Sequence, residues 1–213
     1  IPSRLVGSEM CIRDRSPLHK RTFGDSRNSG MTDAQSLHSD ALVIDSLVYH
    51  ADGWPDELRA GGINAINVTS CHFECDFEQA CSEVARWNER FNQPDSAWMP
   101  IETTGDFDRA KNAGKIGAIL GWQNTRPIAD RIDRLHLFYK LGLRIMQLTY
   151  NYRNMIGDGC LEPEGAGLTT YGRDVVKVMN ELGIAIDLSH VGYRTAMDAI
   201  EASEKPCLVT HAN

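Results

Sequence analysis

Leu182-Gly183-Ile184-Ala185-Ile186-Asp187-Leu188-Ser189-His190 is the stretch that decides how this chain folds. A glycine closes the segment before it, a short β-rich apolar run follows at once, and the run ends on Asp, Ser and His. Glycine accepts the left-handed backbone that terminates a helix without a side-chain penalty, so Leu182-Gly183-Ile184 reads as a helix passing directly into a strand. Upstream, Leu168, Tyr171, Val175, Met179 and Leu182 form an apolar stripe at three-to-four spacing, with Arg173, Asp174, Lys177 and Glu181 turned away. That is the helix which the glycine closes.

Working outward, the same joint recurs at Gly62-Ile63, Gly114-Lys115 and Gly142-Leu143. The apolar runs are 41–48, 63–70, 115–123, 143–150, 184–190 and 206–211, and they are nearly continuous rather than alternating. Strands covered on both faces by helices read this way. Six strands, each followed by a helix or by the end of the sequence, predict an α/β fold, either a (β/α)8 TIM-type barrel or a doubly wound sheet. A whole barrel typically takes about 250 residues. With 213 residues in all, the expected architecture is a barrel truncated after about six strands.

Charge divides the chain. Residues 1–30 carry six basic and three acidic residues, although the chain as a whole has a formal net charge of -7. Residues 1–30 are read as a non-native or disordered leader, with residues 31–213 the partial barrel and Met31 the natural start. Met10-Cys11-Ile12-Arg13-Asp14-Arg15 back-translates to ATG TGT ATA AGA GAC AG, the end of a transposase sequencing adaptor, so residues 1–15 are expected to be adaptor-derived. The leader lacks the apolar centre of a secretory signal, which points to a cytoplasmic protein. The acidic balance argues against nucleic acid as a partner, and no apolar run is long enough for a membrane span. Cys71-His72-Phe73-Glu74-Cys75 lacks a second matching half for a structural zinc site, and its cysteines are expected to be ordinary thiols.

The polar groups at the strand ends carry the chemistry, because barrel enzymes place catalytic groups there. In order they are Asp45-Ser46, Thr69-Ser70-Cys71-His72, Gln123-Asn124-Thr125, Thr149-Tyr150-Asn151, Asp187-Leu188-Ser189-His190 and Thr210-His211. Two of only seven histidines close consecutive strands. Paired with an amide or carboxyl group from another strand, they point to a metal site and to hydrolysis by metal-activated water.

Leu148-Thr149-Tyr150-Asn151, Arg153-Asn154, Gly159-Cys160, Gly167-Leu168-Thr169, Asp187-Leu188-Ser189-His190-Val191 and Thr210-His211-Ala212-Asn213 together resemble the membrane dipeptidase family of zinc metallopeptidases. The resemblance runs from about Asp45 onward. It implies an amidohydrolase-like barrel that binds two zinc ions and cleaves dipeptides, in a family where homo-oligomers are common. The family's later histidine pair falls on His190 and His211. Its bridging glutamate falls on Gln123, and its His-x-Asp pair on Leu47 and Tyr49, neither a ligand, with His50 one place out of register. A neutral amide cannot supply the charge that holds two dications about 3.5 to 4 Å apart. One zinc is therefore expected, on His190, His211 and, more weakly, Gln123.

Tyr150 stands where the family has a substrate-contacting histidine. With Asn151, Asn154 and Asp187 it makes up the expected substrate-binding set, much of it on the long loop 151–167. The family's substrate-binding arginine and proton-handling acid fall beyond Asn213, so the catalytic acid is not assigned. The resemblance favours a metal-dependent dipeptidase. The departures leave two alternatives open: a single-metal hydrolase of another amide or a lactone, and a non-catalytic binding barrel.

Overall fold

The computed structural model describes residues 33–49, 54–163 and 165–212. The leader, Met31 and His50 lie outside the described residues. In chain order the elements are α1 (Asp33–Asp40), β1 (Ile44–Val48), α2 (Pro55–Ala60), β2 (Ala65–Thr69), α3 (Phe77–Phe91), β3 (Trp98–Pro100) and α4 (Gly105–Asn112). There follow β4 (Ile116–Trp122), α5 (Asp133–Lys140), β5 (Leu143–Gln147), α6 (Thr170–Leu182), β6 (Ala185–Asp187) and α7 (Tyr193–Ala202).

All strand pairs are parallel, in the order β1-β2-β4-β5-β6. The short β3 pairs with Ile116–Ala118 at the start of β4, and β5 takes β4 from Leu120 on. A doubly wound sheet reverses its strand order at a switch point; here the order runs one way. The sheet also curls. Ser46 Oγ on β1 donates to the carbonyl of Thr210, beyond the last strand, at 2.6 Å, so the two ends of the sheet face each other as in part of a barrel. This is the α/β half-barrel expected from the sequence.

The four glycine joints behave as expected: Gly62, Gly114, Gly142 and Gly183 have φ of 74°, 64°, 107° and 83°. Gly183 caps α6, its N–H bonding to the carbonyl of Met179. β4 is buried along its whole length, as a strand covered on both faces must be. On α6, Val175, Val176 and Met179 are fully buried while Arg173, Asp174, Lys177 and Glu181 face solvent.

Three details differ from the expectation. The strands are shorter than the apolar runs, because the polar ends of the runs leave the ladder to build the mouth of the barrel. Trp98–Pro100 forms a strand that three residues are too few to announce. The run 206–211 joins the sheet only by one parallel bridge, Asp187 to Leu208. Elsewhere, Lys111 Nζ donates to the carbonyls of Ser39, Asp40 and Ala41, satisfying the open C-terminal end of α1.

Candidate active site

The C-terminal ends of β2, β4, β5 and β6 converge. After β5 the chain turns at Asn151, whose φ of 61° is left-handed, and after β6 it turns at His190, φ 58°. Asparagine and histidine are among the residues that tolerate this conformation. Such strain clusters at functional sites, and here the two strained residues hold each other: His190 Nδ1 lies 2.8 Å from Asn151 Oδ1. The amide oxygen is an acceptor, so Nδ1 carries the proton and Nε2 keeps its lone pair.

A row of rings lines the mouth. Phe73, in the loop after β2, stacks on Tyr150 with centroids 4.0 Å apart. Tyr150 stacks on His190 at 4.3 Å, and His190 lies 4.8 Å from His211. Gln123, directly after β4, places Nε2 3.3 Å from His211 Nε2. Burial pushes the pKa of His190 down and the neighbouring His211 adds to this, with Asp187 acting the opposite way. The ring is therefore neutral, with an available lone pair, at neutral pH.

The structure thus brings together His190, His211, Gln123, Tyr150 and Asn151. It turns two other expected substrate-binding residues toward the scaffold. Asp187 is 2% exposed. It accepts from Ser189 N at 2.9 Å, Ser189 Oγ at 2.7 Å and Thr210 Oγ1 at 2.7 Å, with Thr210 N at 3.3 Å. Asn154 Nδ2 lies within 3.0 Å of Asn124 Oδ1, Thr125 Oγ1 and the carbonyl of Leu148. Its Oδ1 accepts from the N–H groups of Ile156 and Gly157. Asn154 ties the long loop to the ends of β4 and β5. On β1, Asp45 takes the N–H of Leu47. Tyr49 lines a cavity of about 330 Å³ with Thr69, His72, Arg86 and Arg90. Cys71 and Cys75 are buried free thiols.

Loop 151–167 is organised by Asp158, which is 1% exposed. Its carboxylate accepts from Arg153 Nε and from the N–H groups of Ala166 and Gly167. Burial raises its pKa, but Arg153 and the two N–H groups outweigh this and hold it below the ordinary carboxylate value. A group whose folded pKa lies below its unfolded value contributes stability that is complete above the unfolded value, about 3.9 for Asp. That contribution disappears as pH falls through the folded value. Melting temperatures taken from pH 7 down to 3 should therefore fall less steeply below about pH 4 for Asp158→Asn than for the parent. Parallel curves would refute this.

Neither Phe73 nor Thr210 was legible as a site residue. Phe73 sat within a cysteine-marked segment, and the only clue to it was its place after a strand. Thr210 was legible only as the neighbour of His211.

Among the described residues no three His, Cys, Asp or Glu side chains cluster around a possible ion. The third donor at this mouth is the amide of Gln123. Two imidazoles and a neutral amide, whose Nε2 is turned to His211, are a donor set suited to one cation and lack the carboxylate that would bridge two.

The curled parallel sheet is part of an α/β barrel that gathers its polar groups, two imidazoles among them, at the carboxyl ends of its strands, where enzymes of this fold class place their catalytic groups. Residues 50–213 match the sequence model of the membrane dipeptidases, peptidase family M19, and the chain belongs to that family. It is 33% identical over 107 residues to an uncharacterized dipeptidase of Schizosaccharomyces pombe, covering 48% of this chain and 26% of that protein. It is 30% identical over 110 residues to the dipeptidase tcpJ of Claviceps purpurea, covering 51% and 26%. An amidohydrolase structure from Pseudomonas aeruginosa superposes with a TM-score of 0.78 at 35% identity, over 83% of this chain and 54% of that one. A metallo peptidase from Rhodobacter sphaeroides, liganded with a phosphinate mimic of L-Ala-D-Ala, shares the fold with a TM-score of 0.68 at 21% identity, over 81% and 65%. The matches span about a quarter of the curated relatives' length.

Proposed function

We propose that the intact protein is a zinc-dependent hydrolase that cleaves dipeptides using a single metal ion. The observation that carries this reading is the meeting of His190, His211 and Gln123 at the carboxyl ends of the strands. Family membership and the dipeptidases among the relatives support the substrate class. His190 and His211 would hold the ion through Nε2, with the oxygen of Gln123 as the weaker third donor. When bound, the ion would lower the pKa of its water toward neutrality and polarise the scissile carbonyl.

The chain's own residues orient and enclose. Asn151 sets the ring of His190, and Tyr150, half-buried between Phe73 and His190, offers a phenol that can donate to a peptide carbonyl without adding charge. Asn154 and Asp158 hold the loop that walls the mouth. Small peptides are the partners we propose, and the five free cysteines among the described residues suit a reducing compartment such as the cytoplasm. No helix of the described residues is long and apolar enough to cross a membrane.

Metal analysis of the purified intact protein, run beside turnover assays with dipeptides of both stereochemistries at the second residue, tests the proposal. One zinc per chain and zinc-dependent release of amino acids are expected. Two tightly bound zinc ions per chain, or retained peptide binding with no metal-dependent turnover, would overturn it.

A further inference from the structure

The stretch that carries His211 joins the sheet through a single bridge, yet side chains from two strands' ends fasten it. Ser46 on β1 holds the carbonyl of Thr210. Ser189 Oγ accepts the N–H groups of Thr210 and His211 at 3.1 and 3.2 Å. Thr210 Oγ1 then stands 2.7 Å from Asp187 Oδ2, 2.9 Å from His211 Nδ1 and 3.3 Å from Ser189 Oγ, whose own hydrogen goes to Asp187 Oδ1.

The direction of this chain of bonds follows from counting hydrogens. Four donors converge on the two oxygens of Asp187, from Ser189 N, Ser189 Oγ, Thr210 N and Thr210 Oγ1. The carboxyl group is thereby committed as an acceptor, and the single hydroxyl hydrogen of Thr210 points to it. Only lone pairs remain on Thr210 Oγ1 for His211, so Nδ1 of that ring must be the protonated nitrogen. Nε2 is left with its lone pair, which faces the Gln123 amide N–H at 3.3 Å.

We infer that Asp187 and Thr210 are positioning residues, which lock His211 in the Nδ1–H tautomer and turn its Nε2 toward the mouth of the barrel. The inference rests on the proposed role of His211 as a metal ligand only for its consequence. The tautomer itself follows from the chain's own hydrogen bonds. It gives Asp187 work other than touching substrate, and it makes the threonine before His211 a determinant of metal affinity. Outer partners that orient a ligating histidine typically carry about tenfold to a hundredfold in metal affinity.

The test compares Thr210→Val, which keeps the shape of the side chain and removes the hydroxyl, with Thr210→Ser, which keeps the hydroxyl. Two-bond proton–nitrogen correlation spectra of the intact metal-free protein report the tautomer of His211, and titration against a competing chelator reports Zn²⁺ affinity. The parent and Thr210→Ser should both show Nδ1–H. Thr210→Val should lose that pattern and bind Zn²⁺ about tenfold to a hundredfold more weakly.

Should Thr210→Val fail to fold, Asp187→Asn takes its place. An amide N–H set against Thr210 Oγ1 would reverse the chain of bonds and shift His211 to the Nε2–H form. A His211 that stays Nδ1–H in the folded variant, at unchanged Zn²⁺ affinity, overturns the inference. If dipeptides prove not to be substrates while the tautomer responds as stated, the proposed function fails and the positioning role stands.

Discussion

His211→Ala should abolish stable zinc binding and with it dipeptide turnover. The loss should be well beyond the roughly tenfold to hundredfold typical of outer-shell partners. The reasoning is a donor count. The mouth of the barrel offers two imidazoles and one amide, with no clustered carboxylate among the described residues to compensate. Removing one imidazole leaves His190 and a neutral amide, too few and too weak for a dication that normally takes three protein ligands in a catalytic site. The ring is only half-buried, and its backbone N–H bond to Ser189 does not need the imidazole, so the fold should survive. Gln123→Ala, which removes the weaker donor, should lose less. Chelator-competition titration and dipeptide hydrolysis by the intact variants decide this; a His211→Ala protein with parental zinc affinity would refute the site.

Gly159→Ala should be the most damaging small substitution for the fold. A Cβ there would fall on the backbone of Asn151 and Tyr152, far inside van der Waals contact. Backbone cannot rotate away as a flexible side chain can. The loop is also fastened on both sides of this glycine. Cys160 N donates to the carbonyl of His190 at 2.9 Å, and Leu161 N to that of Asn151 at 2.8 Å. Gly159 itself bridges to Val191. A methyl group would thus wedge apart the strands of chain that hold the Asn151–His190 pair. Overpacking of this kind costs about 3 kcal/mol or more, and for a fold of this size that is a drop in Tm of roughly 6 to 12 °C. Gly105→Ala, where a Cβ meets nothing closer than Thr103 Oγ1 at 4.0 Å, is the control and should leave the melt nearly unchanged. Equal melting of both variants would show that the close approach is not constraining.

The sequence by itself determined the architecture in outline: a partial parallel α/β barrel, its helix-ending glycines and the buried face of α6. Burial on both faces writes continuous apolar runs, helical burial writes a stripe at three-to-four spacing, and left-handed caps select glycine. Each of these is a local constraint, visible within a few residues. The nearness of His190 and His211 was legible because the carboxyl ends of parallel strands lie along one edge of the sheet, and Gln123 was singled out by the resemblance to the membrane dipeptidases. Tertiary structure alone decided which polar groups are free and which are committed. Asp187 ends β6 and Asn154 lies in the loop after β5, close to Gln123 and His190 in the fold, yet their side chains are consumed by Thr210 and Ser189, and by Asn124 and Thr125. Phe73 became part of the mouth only by stacking on Tyr150, in the loop after β5 and far away in sequence. Hydrogen-bond partners and ring stacks are chosen by distances across the folded sheet, which no local pattern of residues records.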